Sequence, residues 1–402
     1  MPLSRVFIVL ATGQAVANLP PLLHAGQAGD AVWWAWSDVG ARQSAEPVAR
    51  QLARRGLRQQ WFAEPLPDHA AAAFAWAERQ MRRPPFNTPG LTLVGNGGTK
   101  PMFQALTEAW APCLNEVVYG EGMPAVVLRM PGGRAASAWR EAFGAPAVEL
   151  LDLLACSGHG LMRPGVGGSG QALCWWRNGA PYAQLDVPAE FADAPACLDA
   201  FERTQHAPES MRDLGLPFER AVAHRVLQHI ESRPAWRVVL AEAWANVTVS
   251  ALETPHFKAA EWDVLLLLRN GVLLNIERKS SMRAGTKDRK KELDAREHVV
   301  HQGASSLAAT WLCSPLPTDA VHRPWFTHLH ALRYPAAGQR PHLPFTFHGQ
   351  PRHYRWKGRE VSVPSFEEAL DALMDPFLPP PGGLRPAPHR AAATPEALEN
   401  RQ

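Results

Sequence analysis

The chain has 402 residues, of which 46% are hydrophobic and 20% charged; the length exceeds what one hydrophobic core usually serves, and the composition excludes a disordered or membrane-embedded protein. The formal net charge is only +3, which excludes a general polyanion binder, so any nucleic-acid contact has to come from a local basic patch. The five cysteines, Cys113, Cys156, Cys174, Cys197 and Cys313, are scattered without a CxxC pair; that pattern argues against a disulfide frame or a zinc site and fits the reduced cytoplasm.

At the N-terminus, Arg5, the apolar residues 6–11 and Ala15-Val16-Ala17 loosely imitate a signal peptide, but Gly13-Gln14 interrupts the run and it is too short. No apolar stretch approaches the roughly 20 residues of a membrane span. Residues 6–10 read as a buried strand, 16–23 as helical although Pro20-Pro21 interrupts them, and 31–36 as a second strand. Residues 46–55 form an amphipathic helical pattern and 69–82 another. The strand at 91–94 runs into Gly95-Asn96-Gly97-Gly98, and 99–109 read as the helix that follows. Strands alternating with helices predict a parallel, doubly wound α/β domain over residues 1–145, closed by a hairpin around Gly120-Glu121-Gly122.

Residues 146–215 change character. A short helix at 150–155 precedes Gly165-Val166-Gly167-Gly168-Ser169-Gly170, which follows Arg163-Pro164 rather than a strand and so is not a dinucleotide fingerprint. This stretch reads as a connector. Residues 216–375 hold a second α/β unit. A helix at 217–230 has Pro217 in its first turn, 237–251 include a strand, and strands at 263–268 and 272–279 flank Arg269-Asn270-Gly271, a hairpin signal. Residues 287–312 begin as a basic helix, and the Pro/Ala-rich residues 376–402 read as a disordered tail.

The sharpest chemical signal is Glu261-Trp262-Asp263, then an apolar strand and turn, then Asn275-Ile276-Glu277-Arg278-Lys279. Alternation on a strand projects Glu277 and Lys279 together and sends the Ile276 side chain to the core. A two-residue Asn270-Gly271 loop would set Asp263 opposite Arg278. A three-residue loop ending in a left-handed Gly271 sets Asp263 opposite Glu277, and we expect that loop, or a bulge that corrects the parity, because with the two-residue loop the two carboxylates would share a cation only with difficulty. Two carboxylates and an ammonium at a sheet end suit Mg²⁺- or Mn²⁺-assisted phosphodiester hydrolysis, with Lys279 orienting the attacking water. Glu219 on the preceding helix is a third candidate carboxylate. Asp263…Glu277-x-Lys279 behind a helix carrying Glu219 resembles the PD-(D/E)xK nuclease core over roughly residues 216–315, with Trp262-Asp263 in place of the usual Pro-Asp. The resemblance implies catalytic roles for Glu219, Asp263, Glu277 and Lys279, with Asp263, Ile276 and Glu277 as the metal positions. Arg278, Arg283, Lys287, Arg289, Lys290 and Lys291 follow directly and form the natural phosphate track. The pairs His224/His229 and His328/His330 match no metal motif and read as ordinary histidines.

In the first domain, Gly97-Gly98-Thr99-Lys100 follows a strand and opens a helix, a place where backbone N–H groups attract phosphate. Thr12-Gly13-Gln14, with Asn18 behind, ends the first strand, and in an open parallel sheet both loops lie at the ligand-binding edge. Gln14-x-x-Ala17-Asn18 together with Gly97-Gly98-Thr99-Lys100-x-Met102 resembles the CARF domain, the cyclic-oligoadenylate sensor of type III CRISPR systems. That resemblance implies a Rossmann-like CARF domain, a connector and a restriction-endonuclease-like α/β domain. It further implies a cytoplasmic homodimer in which a cyclic oligoadenylate, by family cyclic tetra-adenylate, binds at Thr12, Gly13, Gln14, Asn18, Gly97, Gly98, Thr99, Lys100 and Met102. Binding would activate metal-dependent cleavage of DNA, RNA or both. A ligand-independent restriction-like nuclease, a sensor with a dead nuclease fold, and a ring nuclease that degrades its own activator are the rival readings.

Overall fold

The computed structural model describes residues 5–11, 15–83, 86, 90–144, 148–166, 171–185, 215–278, 309–314, 345–346, 352–356, 359–363, 365–380 and 384–385. The chain opens with five parallel strands, β1 (Val6–Ala11), β2 (Ala31–Trp36), β3 (Arg58–Trp61), β4 (Leu91–Val94) and β5 (Leu114–Glu121), in the spatial order 3-2-1-4-5. β6 (Val126–Pro131) and β7 (Trp139–Ala142) extend the sheet antiparallel beyond β5. All six residues of β1 are buried, as expected of a central strand covered on both faces. β3, with the sequence Arg-Gln-Gln-Trp, sits at the sheet edge, where an apolar pattern is not required; for that reason it does not show in the sequence.

Between the strands run α1 (Leu19–Ala25), α2 (Val39–Arg54), α3 (Ala70–Gln80) and α4 (Lys100–Trp110). Pro20 and Pro21 fall in the first turn of α1, where no intrahelical N–H is needed, so they start the helix and do not interrupt it. α2 begins earlier than its amphipathic pattern suggests, because the Asp38 carboxylate accepts from Ala41 N at 2.8 Å and caps it.

The second sheet contains β8 (His159–Leu161), β9 (Leu173–Arg177), β10 (Ala180–Pro181), β11 (Leu240–Ala251), β12 (Lys258–Leu268), β13 (Leu273–Arg278), β14 (Ala309–Ser314) and β15 (Phe345–Thr346). Pairing is antiparallel from β10 to β13 and parallel from β13 to β15. β8, β9 and β10 come from the stretch read as a connector. They pair on or beside β11, so this segment is part of the second sheet. Strands of two to five residues are too short to declare a period in sequence. α5 (Leu150–Cys156) leads into this sheet, and α6 (Gly215–Ser232), α7 (Pro234–Val239) and α8 (Phe366–Met374) complete the helices of the described residues. β16 (Arg352–Trp356) and β17 (Arg359–Val363) make a separate hairpin. β18 (Leu384–Arg385), within the stretch read as a disordered tail, pairs with β7 at the edge of the first sheet; backbone pairing of this kind needs no side-chain pattern.

Three apolar cores set the layers. α3 and α4 cover one face of the first sheet, where Ile8, Leu10 and Leu93 meet Trp76, Met102 and Leu106. α6, α7 and α8 cover one face of the second sheet through Phe218, Val226, Trp236 and Leu370 against Leu266 and Ile276. The third core lies between the sheets. Phe7, Val9 and Val94 share it with Leu22, Val48, Leu52 and Leu153 of the intervening helices and with Trp244, Leu265, Leu267 and Leu273 of the second sheet.

Candidate functional site

In the first sheet the strand order reverses between β1 and β4, and the loops leaving the carboxyl ends of these strands border the crevice where open α/β sheets take ligands. Thr12, Gly13 and Gln14 lie outside the described residues. Asn18 is fully buried at the end of a 3-10 turn, Ala15–Asn18, and its Nδ2 donates to Leu10 O at 3.0 Å, bracing the end of β1. Its Oδ1 has no hydrogen-bond partner. Gly97 packs against the same carbonyl: a Cβ there would fall on Leu10 O and lie 2.9 Å from Asn18 Nδ2. Gly98 has φ +83°, and a Cβ on it would approach Leu10 Cδ1 to 2.6 Å. The two glycines therefore let the β4–α4 loop close onto the end of β1. Thr99 caps α4, accepting from Met102 N at 3.4 Å. Lys100 is exposed at the helix start and lines a groove of about 420 Å³ with Ala70, Ala71 and Phe74 of α3 and Gln104 of α4. The Met102 side chain is buried in the core beneath α4, and its backbone N–H donates to the capping Thr99 hydroxyl. Asn96, read only as part of a glycine turn, donates to Gly120 O and accepts from Gly120 N, each at 2.7 Å, fastening the loop to β5.

In the second sheet, β12 and β13 pair as Val264↔Ile276, Leu265↔Asn275, Leu266↔Leu274 and Leu267↔Leu273. Leu268 N donates to Val272 O, Gly271 N to Leu268 O, each at 2.9 Å, and Gly271 has φ +85°. The turn is thus the three-residue Arg269-Asn270-Gly271 loop with its left-handed glycine, and the pairing runs outward as far as Val264↔Ile276, the neighbours of Asp263 and Glu277. Asp263 is 6% exposed and Glu277 fully buried. Asp263 also stands opposite Asn246 in the β11 register; Asn246 has φ +55°, and at this point the alternation breaks. Ala245 and Val264 face the α6 side, whereas Val247 and Trp262 join the core between the sheets.

Ile276 is buried in the core under α6, as strand alternation requires. Glu277 and Asn275 project from the other face, with Leu273. Glu219 is half-buried on α6, which packs through Phe218, Val222 and Val226 on the Ile276 face. The helix that carries Glu219 thus covers the face opposite to the one that Leu273 and Asn275 share. Arg278 ends β13, its backbone paired with Cys313. Lys279, Arg283, Lys287, Arg289, Lys290 and Lys291 lie outside the described residues. Among the described residues no group of three or more His, Cys, Asp or Glu gathers as a metal cluster. Asn275, unremarked in the motif, is fully buried two residues before Glu277, and neither atom of its side-chain amide has a hydrogen-bond partner. Burial pushes the thiols of Cys156 and Cys174 up to about 12, so neither is a thiolate nucleophile at neutral pH.

The turn that fixes this register rests on the first sheet's elements. Asn270 Nδ2 donates to Gly122 O at 2.8 Å and Arg269 Nη1 to Phe143 O at 3.1 Å. A Cβ on Gly271 would sit 2.8 Å from Cγ of Pro20 in α1, the helix that follows the Asn18 turn. Burial lowers the pKa of the Arg269 guanidinium, which is held by backbone carbonyls.

No family model matches the chain, and no curated protein is similar enough in sequence to match it. Among solved structures the fold is similar to that of protein VC1899 from Vibrio cholerae, at 13% identity and a TM-score of 0.57, covering 82% of this chain and 92% of that one. It is similar also to Can2 from Sulfobacillus thermosulfidooxidans, solved in complex with cyclic tetra-adenylate, at 14% identity and a TM-score of 0.56, covering 83% of this chain and 100% of that one. At these identities the likeness is one of fold, a parallel-rich α/β sheet joined to a second, mainly antiparallel sheet.

Proposed function

We propose that this protein is a cytoplasmic, homodimeric nuclease of type III CRISPR defence, switched on when a cyclic oligoadenylate binds its first sheet. Cyclic tetra-adenylate is the activator suggested by the Can2 likeness. The ligand would sit on the β1 and β4 loops, at Thr12, Gly13, Gln14, Asn18 and Gly97 to Lys100, and span two copies of the chain. A cyclic ligand with internal symmetry suits the two identical loops of an isologous dimer.

The observation that supports the nuclease reading is the β12–β13 register, which pairs Val264 with Ile276, the residues next to the buried Asp263 and Glu277; carried one step outward it would set the two carboxylates against each other. Opposed residues have Cβ atoms about 4.5–5.5 Å apart, and two hard carboxylates at that spacing fit Mg²⁺ or Mn²⁺. When bound, such an ion polarises a phosphate and lowers the pKa of a coordinated water. Asp263 and Glu277 hold the ion's place, Lys279 orients the water and offsets developing negative charge, and Arg278, Arg283, Lys287, Arg289, Lys290 and Lys291 guide the substrate backbone without reading sequence. The signal from the sensor reaches this hairpin through its turn, whose three residues touch Phe143, Gly122 and Pro20.

The test is cleavage of labelled single- and double-stranded DNA and RNA with Mg²⁺ or Mn²⁺, with and without each cyclic oligoadenylate. Cleavage is expected only when metal and activator are both present. Glu277→Ala should abolish it while calorimetry shows unchanged activator binding. Full cleavage by Glu277→Ala would sink the site assignment.

A further inference from the structure

We infer that Asn275 is a positioning residue of the Asp263–Glu277 site, its side-chain amide bonding the hydration shell of a divalent cation held there. The inference rests on the proposed metal-dependent nuclease reading and extends the site by a residue with no charge.

Asn275 and Glu277 are two residues apart on β13, so their Cα atoms are about 6–7 Å apart and their side chains leave the same face. Across the sheet Asn275 pairs with Leu265 of β12, which offers no side-chain hydrogen-bonding group, and with Thr310 of β14. The amide is fully buried and both its oxygen and its nitrogen lack partners, although native structures satisfy nearly all such groups. A leucine would fill the same place without stranding a donor and an acceptor, so as core packing the amide is a liability. The liability disappears if a hydrated cation lies between Asp263 and Glu277. Coordinated water donates to Oδ1, and Nδ2 donates to a carboxylate or a substrate phosphate oxygen, within one residue repeat of Glu277. Groups that orient a metal's ligands and waters without touching the ion typically change affinity or activity about 10–100-fold when removed.

The test uses the full-length chain, with Mn²⁺ alone as probe, read by thermal melting and by calorimetric titration. Asn275→Leu is expected to melt no lower than wild type without metal and to bind Mn²⁺ about 10–100-fold more weakly. Asn275→Asp, which keeps an oxygen acceptor, should melt lower without metal and regain its stability on Mn²⁺ addition. Wild-type Mn²⁺ affinity in Asn275→Leu, or an Asn275→Asp melt that ignores Mn²⁺, overturns the inference. Cleavage is measured in parallel. Absence of cleavage by wild type that nevertheless binds Mn²⁺ would count against the nuclease reading alone, since the Mn²⁺ titrations of the variants still decide the role of Asn275.

Discussion

A buried ionic chain fixes the exit of the first sheet. His24 of α1 bonds Glu141 Oε1 through Nε2 at 2.7 Å and accepts from Gly144 N through Nδ1 at 2.9 Å, while Arg129 bridges Glu141 and Glu116. Burial pushes the Glu141 carboxyl up, but His24 and Arg129 together hold it below the ordinary glutamate value of 4.5. A carboxyl with a depressed folded pKa lends stability that is complete above 4.5 and fades as pH falls through the folded value. Glu141→Gln, which removes the charged partner of His24 and leaves Arg129 with Glu116 alone, should cost about 1–3 kcal/mol at pH 7. The gap between the two melting curves should narrow as pH falls below 4.5, and a gap independent of pH would assign the loss to packing. Site residues differed in how far sequence exposed them. The three-residue turn between the strands that carry Asp263 and Glu277 was legible because a left-handed glycine closes it. Asn275 was not, because an asparagine within an apolar strand reads as a weak strand former, and the lack of hydrogen-bond partners for its buried amide exists only in three dimensions. Met102 matched a family pattern, but its side chain serves the core.

Elements with strong periodicity or sharp punctuation were readable: the buried β1, the capped α4 and the β12–β13 hairpin. Short or polar strands such as β3, β8 and β10 were not, because their place is set by backbone pairing with neighbours far along the chain. The hairpin turn makes a prediction of its own. Gly271 has φ +85°, and a methyl group there would press on Pro20. Gly271→Ala should cost about 1–2 kcal/mol for the left-handed conformation alone. By shifting α1 against the turn it should also lower the ratio of activated to basal cleavage. Asn270→Ala removes the bond to Gly122 without that strain and should lower the same ratio with a smaller loss of stability. Unchanged activation in both variants would show that the turn carries no signal.

At the scale of the whole molecule, the shared core between the sheets ties the two halves together. Trp34, Leu52 and Val94 pack in the same cluster as Trp244, Trp262 and Leu267, and the buried Glu242 of β11 accepts from Leu150 N at 2.9 Å at the start of α5. Return of the chain at β18 to the edge of the first sheet adds a second tie. Calorimetric unfolding should therefore give one endotherm that moves upward as a whole when the activator is added, by about 2.7 kcal/mol at a hundredfold excess over Kd. A second peak that stays in place on ligand addition would show that the halves melt independently. The domain plan was only partly visible in sequence because the segment read as a connector is bound into the second sheet through β-pairing alone. The register of the β12–β13 hairpin has one more consequence. The pairs from Leu267↔Leu273 to Val264↔Ile276 link the turn to the ends of the strands that carry Asp263 and Glu277, so a tilt of the turn would be carried to them along a paired ribbon. On the proposed reading, tilting that ribbon would expose the two carboxylates to a nucleic-acid strand or hide them. On that reading the switch would govern who reaches the site, like a shutter over a lens.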